Sequence, residues 1–446
     1  MTEPIISVGI KISEKITFLL FGDFHIGSET ALYNGICKVE IQQGKLYCVV
    51  KDKPLDPADE IIFTPSYGVS EYFTLQDVVI GSHFHWEKRE KESFRGSLKF
   101  FIAENKIYAV NLIHLEEYLK SVISSEMNPK CNFNLLKAHS VISRSWLLSQ
   151  IENTRTRGVR HIGVNNGYAN ESEIIRWYDR EDHTHFDVCA DDHCQRYQGI
   201  AKIHSKLIPD AVDQTAGMVL TYHDTVCDAR FSKCCGGISE SFENIWQDTP
   251  FKYLSSVVDY KFEPDEMELD LRVEANLIEW VHNSPDVFCN TNDKKVIEQI
   301  LPEHDQNTKD FFRWTVSYSQ TELSKLIAEK SGIDFGNIID LIPIERGNSG
   351  RIIRLKIVGT NRSLIVGKEL EIRKILSKTH LYSAAFYIEK SNIMDGIPQE
   401  FIFNGAGWGH GAGLCQIGAA VMAARGYNFD EILLHYYTNA KITKIY

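Results

Sequence analysis

The sequence lacks several features that would point to common classes of protein. It has no lysine and arginine run of the kind that tracks phosphates, and its formal net charge is −12 over 446 residues. Nucleic acid is therefore not an expected partner, and a neutral or cationic one fits better. The opening stretch, MTEPIISVGIKISEKITFLLFGDF, scatters acids and bases and holds no long apolar run, so neither an export signal nor a transmembrane segment is expected there. No internal repeat or low-complexity tract is present, and 12 prolines and 29 glycines beside 43% hydrophobic residues exclude a disordered or fibrous chain. The dinucleotide fingerprint G-x-G-x-x-G is missing as well. In the one glycine-rich stretch, GAGWGHGAG, glycine stands at 405, 407, 409, 411 and 413, so the third always arrives one residue early.

What is present is an ordinary globular composition, in a chain too long for a single core, so two or three structural units are expected. Strand-like alternation (Ile6, Val8, Ile10, Ile12) marks residues 1 to about 95 as β-rich. A hairpin is predicted in SLKFFIAENKIYAVNLI, with its turn near Glu104, Asn105 and Lys106, and two helices follow it. Residues 153 to 182 read as a polar surface loop, and 262 to 398 as an inserted lobe with helices in VEANLIEWVHN and TELSKLIAEKSG and a hairpin around Asn348, Ser349 and Gly350. The C-terminal stretch reads as strand, glycine-rich loop, helix from about Cys415 to Arg425, a break at Gly426, a short helix and a strand. The fold class is α+β.

Chemistry concentrates first in LEEYLKSVISSEMNPKCNFNLLKAHSVISRSWLLSQ. Leu115, Leu119 and Val122 form an apolar stripe whose next position is Glu126, a carboxylate where leucine is expected. Pro129 disfavours helical geometry at Asn128, so the helix should end just after Glu126. Burial and the negative end of the helix dipole would both favour its protonated form, which suits a general acid. On the second helix Leu135, Ala138, Ile142 and Trp146 share one face, while Lys137, Ser140 and Arg144 share another, leaving Arg144 free to hold or polarise the same site. The competing reading is a buried Glu-Arg pair that merely ties the helices together.

Two further groups stand out. If GAGWGHGAG is extended, its glycines line one side, and Trp408 and His410 project from the other, as a groove wall where Trp408 stacks on a sugar and His410 offers a hydrogen bond. The plainer reading is a tightly packed β segment. His183, His185, Cys189, His193 and Cys194 supply soft or borderline ligands in twelve residues, and Cys227, Cys234 and Cys235 could approach them, so zinc is one reading and buried thiols with surface histidines the other. Of the ten cysteines, the cluster between 189 and 235 reads as a metal site or buried thiols in preference to a disulfide framework, which a chain of this length does not need.

Together these blocks resemble the SpoIID/LytB family, the sporulation stage II protein D group of peptidoglycan-degrading enzymes. The matching stretches include LEEYLKSVISSEMNP, LLKAHSVISRSWLLSQ, FDVCADDHCQRYQG, FSKCCGGISESFENIW and GAGWGHGAGLCQIGAAVMAARGYNFDEILLHYYTNAKI, and cover most of residues 95 to 446. On this resemblance the chain divides into a β-rich N-terminal unit (1–95), a catalytic core in two parts (96–261 and 399–446) and an inserted α+β lobe (262–398). The resemblance implies a lytic transglycosylase that cleaves the MurNAc-GlcNAc β-1,4 bond of peptidoglycan glycan strands, preferably strands stripped of stem peptides, with a 1,6-anhydro product. The alternative is a non-catalytic glycan-binding module that enhances a cell-wall amidase. The resemblance also implies catalytic roles for Glu126 and Arg144, while the groove reading of the Gly-rich stretch gives substrate contacts from Gly407, Trp408, Gly409, His410, Gly411 and Gln416. His183, Cys189 and Cys194 would hold a structural zinc, and the cell envelope would be the place of action. The turn Asn128-Pro129-Lys130-Cys131 departs from the family's usual Pro-rich, Trp-containing turn, and the export signal such a substrate would require is not visible. One carboxylate suffices for this reaction, because the sugar's own 6-hydroxyl replaces the water that ordinary glycosidases activate with a second acid.

Overall fold

A computed structural model of the chain describes residues 2–68, 70–81, 87–157, 167–178, 183–191, 193–203, 205–260, 269–300 and 310–446. The predicted loop over 158–166 and the division at 261/262 lie outside the described residues. The first ten strands run in chain order: β1 (Ile5–Ser13), β2 (Lys15–Ile26), β3 (Tyr33–Gln42), β4 (Lys45–Val50), β5 (Lys53–Pro54), β6 (Glu60–Pro65), β7 (Tyr72–Ile80), β8 (Lys88–Phe94), β9 (Ser97–Ala103) and β10 (Lys106–His114). The predicted hairpin is β9–β10, turning at Glu104 and Asn105, both with positive φ. Its strands lie between β1 and β6 in the order β1-β10-β9-β6-β2-β3-β4-β5, so one sheet spans the division drawn at residue 95. Alternating residues such as Val8, Phe18, Phe63 and Phe100 are buried on its inner face, as strand periodicity requires.

Two helices follow, α1 (Leu115–Glu126) and α2 (Phe133–Arg157). α1 stops where Pro129 required, and its stripe of Leu115, Leu119 and Val122 is buried. α2 departs from the two-faced pattern. Every residue from Ala138 to Leu147 is buried, including His139, Ser140, Ser143, Arg144 and Ser145. Its serines satisfy themselves locally, Ser140 Oγ donating to Leu136 O at 2.8 Å and Ser145 Oγ to Val141 O at 2.6 Å. A helix enclosed on all sides is a central strut, and Arg144 therefore points into the interior.

The next elements are β11 (Gly167–Ala169), β12 (Glu173–Arg176), β13 (Val188–Cys189), α3 (Leu207–Gln214), β14 (Met218–Tyr222), β15 (Thr225–Val226) and β16 (Phe231–Ser232). The stretch read as a polar loop thus contains strands: β12 runs parallel to a strand of the lobe, and α2 itself continues to Arg157. Polarity misled here because β11 and the outer face of β12 are exposed or half-exposed. β13 joins the large sheet beside β1. In the lobe come α4 (Glu274–Asn283), α5 (Lys294–Ile300), β17 (Arg313–Ser319), α6 (Gln320–Ser331), β18 (Ile338–Arg346), β19 (Ile352–Gly359), β20 (Ser363–Gly367), α7 (Glu369–Ile375) and β21 (Phe386–Ser391). The chain closes with β22 (Glu400–Ala406), β23 (Leu414–Cys415), α8 (Gln416–Ala424), α9 (Phe429–Tyr436) and β24 (Lys441–Lys444). A main core joins the large sheet, α1, α2, α8 and α9, and a smaller one, with Trp314, Leu355, Phe401 and Phe403, fills the lobe.

Arg144 is fully buried and forks onto Glu116 of α1, Nε to Oε1 at 2.9 Å and Nη2 to Oε2 at 2.5 Å. Its Nη1 donates to Met218 O at 2.9 Å. Glu116 also accepts from Gly217 N at 3.1 Å and from the hydroxyl of Tyr446 at 2.5 Å. Removing one member of such a buried pair strands the other charge, at a cost of about 3–5 kcal/mol. Arg144→Ala should therefore lower the urea-unfolding free energy by about that amount, while Glu126→Gln leaves it nearly unchanged; equal effects would refute this placement.

Candidate functional site

Glu126 closes α1 half-buried, with Oε1 accepting the backbone N–H of Arg196 at 3.2 Å. Among the described residues its Oε2 has no hydrogen-bond partner, so one carboxylate oxygen remains available for proton exchange. The segment that supplies the N–H is fixed along α1. Tyr197 stacks on Tyr118 with ring centroids 5.0 Å apart and donates to Asn111 Oδ1 at 2.6 Å, and Ser121 Oγ donates to Gly199 O at 2.8 Å. On the other side of Glu126, the turn is tied to α5, with Asn128 Nδ2 donating to Glu298 O and Asn132 N to Gln299 Oε1. A helix rises about 1.5 Å per residue, so Glu116 and Arg144 lie about 15 Å along α1 from Glu126. The assignment of Arg144 to the catalytic site is thus corrected. The buried Glu-Arg pair exists, but with Glu116.

Two residues before Arg196, Cys194 belongs to a compact donor set. His183 Nε2 lies 3.3 Å from Cys194 Sγ, and His193 Nδ1 lies 3.5 Å from Cys194 Sγ and 3.8 Å from Cys189 Sγ. These four side chains place one ligand atom each within 4.8 Å of one another. Two imidazoles and two thiols suit tetrahedral zinc, so the residues present fit the metal, with His193 as a fourth ligand beside the three expected. His185 is not among them, since its ring lies against Phe101 and Tyr108. Cys234 and Cys235 are buried elsewhere, against the Gly-rich loop.

That loop is not an extended wall. Gly407, Gly409, Gly411 and Gly413 all have positive φ, and the space beside most of the glycines is already filled by protein. A Cβ on Gly411 would meet the guanidinium of Arg351 at 2.3 Å, and one on Gly413 the carbonyl of Arg230 at 1.9 Å. The substrate role drawn for Gly407 and Gly411 from an extended geometry does not survive, whereas beside Gly409 the nearest atom, Ser232 Cβ, is at an ordinary 3.5 Å. Gln416 opens α8 with only 3% of its surface exposed, too enclosed to greet a glycan. Trp408 and His410 are half-buried: Trp408 stands edge-on to Tyr382 at 5.5 Å and His410 to Trp246 at 4.9 Å. His410 Nδ1 accepts the Ala412 N–H at 3.0 Å, and burial, then Arg230, Arg373 and Arg351, push its pKa down to about 3. Sequence reading missed Arg230 and Trp246, whose cation and ring lie 4.4 Å apart beside His410. FSKCCGG and SFENIW, the stretches near them, were visible only as a family block.

Residues 103–222 match the family profile described as stage II sporulation protein, SpoIID. These residues form a SpoIID domain within the chain. Its SpoIID domain carries α1, α2, Glu126 and the His/Cys set, whereas residues 240–413, with the lobe and most of the Gly-rich loop, match a domain of unknown function, DUF8618. Relatives include an uncharacterized protein of Brachyspira hyodysenteriae, 26% identical over 78% of this chain and 72% of its own. Stage II sporulation protein D of Bacillus subtilis is 22% identical over 75% of this chain and 76% of its own, and that of Bacillus amyloliquefaciens 23% over 76% of each.

Two predictions follow from this geometry. Cys194→Ser should lower the zinc content of purified protein by about one ion per chain, measured by elemental analysis; an unchanged content would place zinc elsewhere. Burial also pushes His139 and His410 down to about 3, and His380 and His435 down to about 4. The unfolded chain binds these protons near pH 6.5, so stability is fully present above that pH and is lost as pH falls toward 3. The urea midpoint should drop between pH 7 and pH 5, less so in His139→Gln, and an equal drop in that variant would contradict the assignment.

Proposed function

We propose that the SpoIID domain cleaves peptidoglycan glycan strands as a lytic transglycosylase, with Glu126 as the single general acid and base. The observation that carries this reading is the half-buried carboxylate at the end of α1, one oxygen fixed by a backbone N–H and the other uncommitted. Protonated, Glu126 gives its proton to the oxygen of the MurNAc-GlcNAc β-1,4 bond as that bond breaks; ionised, it takes the proton of the MurNAc 6-hydroxyl as that oxygen closes on C1. The 1,6-anhydro ring forms, the released GlcNAc 4-hydroxyl keeps the first proton, and no water is consumed. Zinc, held by His183, Cys189, His193 and Cys194, would act structurally by pinning the loop whose Arg196 N–H fixes Glu126. Such a substrate places the protein's action at the cell envelope, and no described helix is long and apolar enough to cross a membrane.

A second reading, a non-catalytic glycan-binding module that enhances a cell-wall amidase, is favoured by one observation. Arg144, the cation assigned to assist Glu126, is fully engaged with Glu116 instead. The two readings separate on one variant. Glu126→Gln should abolish anhydro-muropeptide release from denuded glycan, a loss of at least about 10²-fold, with glycan binding and folding retained. Release at the wild-type rate would sink the catalytic reading, and wild-type protein that binds without releasing product would favour the module.

A further inference from the structure

A second set of metal-ligating groups lies in the interior, away from the His183 cluster and unused by the proposed reaction. Cys235, Asp259, Cys289 and Cys415 are all buried, and each places a ligand atom within 4.8 Å of the others. We infer that these four residues form a structural zinc site that fastens the two flanks of the region matched by DUF8618, at Cys235 and Cys415, to its interior, at Asp259 and Cys289. The Sγ atoms of Cys235 and Cys289 are 3.7 Å apart, and zinc–sulfur bonds of about 2.3 Å set tetrahedral sulfurs about 3.8 Å from each other. That separation is too long for a disulfide bond, which requires about 2.05 Å.

The surroundings are arranged as they are around metal-bound thiolates. Cys415 Sγ accepts the N–H of Cys235 at 3.3 Å, and Cys235 Sγ accepts that of Gly237 at 3.4 Å. Asp259 is oriented through both oxygens, by the hydroxyl of Tyr436 at 2.6 Å and the N–H of Cys289 at 2.8 Å, which is how a ligand carboxylate is held in place. α8 keeps Gly418 where a Cβ would lie 2.4 Å from Asp259 Oδ1. An interior helical glycine costs about 1 kcal/mol relative to alanine, a loss that preserves the space for the carboxylate. The guanidinium of Arg313 donates to Gly236 O at 3.0 Å, next to Cys235, and would offset part of the negative charge of metal-bound thiolates. The ligands come from a loop after β16, a bridge ahead of the lobe, the turn after α4 and the end of β23, so one ion would fasten four distant segments.

The test uses Cys189→Ser/Cys194→Ser, which disables the outer cluster and leaves the inner one intact. Purified under reducing conditions without chelator, it should retain about one zinc per chain, and its cobalt-substituted form should show thiolate-to-cobalt charge-transfer absorption. Both signals should vanish when Cys289→Ser is added. A folded double variant with no metal and no such absorption, or with a Cys235–Cys289 disulfide by mass spectrometry, would overturn the site. If the double variant does not fold, anomalous scattering at the zinc edge from wild-type crystals decides: a peak among these four residues supports the site, and its absence refutes it.

Discussion

The ion pair of Glu116 and Arg144 is the constraint on which the SpoIID domain depends. Both side chains are buried, and burial of an ion pair is favourable only when every remaining donor and acceptor is used. Here the guanidinium also reaches Met218 O, and the carboxylate also takes Gly217 N and the hydroxyl of Tyr446, so α1, α2, the start of β14 and the end of the chain meet at one point. That point fixes the angle between α1 and the enclosed strut α2. With the start of α1 immobile, its other end, and so Glu126, is delivered to a fixed position.

The proposed chemistry then occupies the margin of this rigid body. Glu126 sits where α1 stops, between a turn fastened to α5 and a segment fastened by Tyr197 and Cys194. The His183 cluster and Glu126 are neighbours through two residues of backbone, so holding the donor set also holds the N–H that orients the carboxylate. Half-buried Trp408 and His410 belong to a loop braced from within by Arg351, which donates to Cys235 O and Gly409 O. The loop's glycines make room for the protein's own arginine and carbonyl groups.

How much of this could be read from the sequence depended on how local the deciding interaction was. The end of α1 was legible because Pro129 acts on its immediate neighbour, and the β9–β10 and β18–β19 hairpins because their turns lie within a few residues. The His/Cys set was legible for the same reason, its donors lying within twelve residues, although His193, counted among those donors, was left out of the three zinc ligands that the resemblance implied. The partner of Arg144 was not legible. Helix periodicity showed a polar face on α2 but could not show that α3, β14 and α9 would cover it. The alternating glycines fit either an extended strand or a chain of left-handed turns, and the choice rests on Arg230 and Arg351, which are remote in sequence. Asp259, Cys289 and Cys415 are likewise scattered among distant segments, with no spacing to betray them.

The central claim is that one carboxylate breaks the glycan without a water nucleophile, and the origin of the oxygen in the product tests it most directly. Denuded glycan digested by the wild-type protein in water enriched in heavy oxygen, with products weighed by mass spectrometry, should yield 1,6-anhydro-MurNAc ends that carry no label. Reducing ends bearing the heavy isotope would mean hydrolysis through a second, unrecognised base, and would contradict the account.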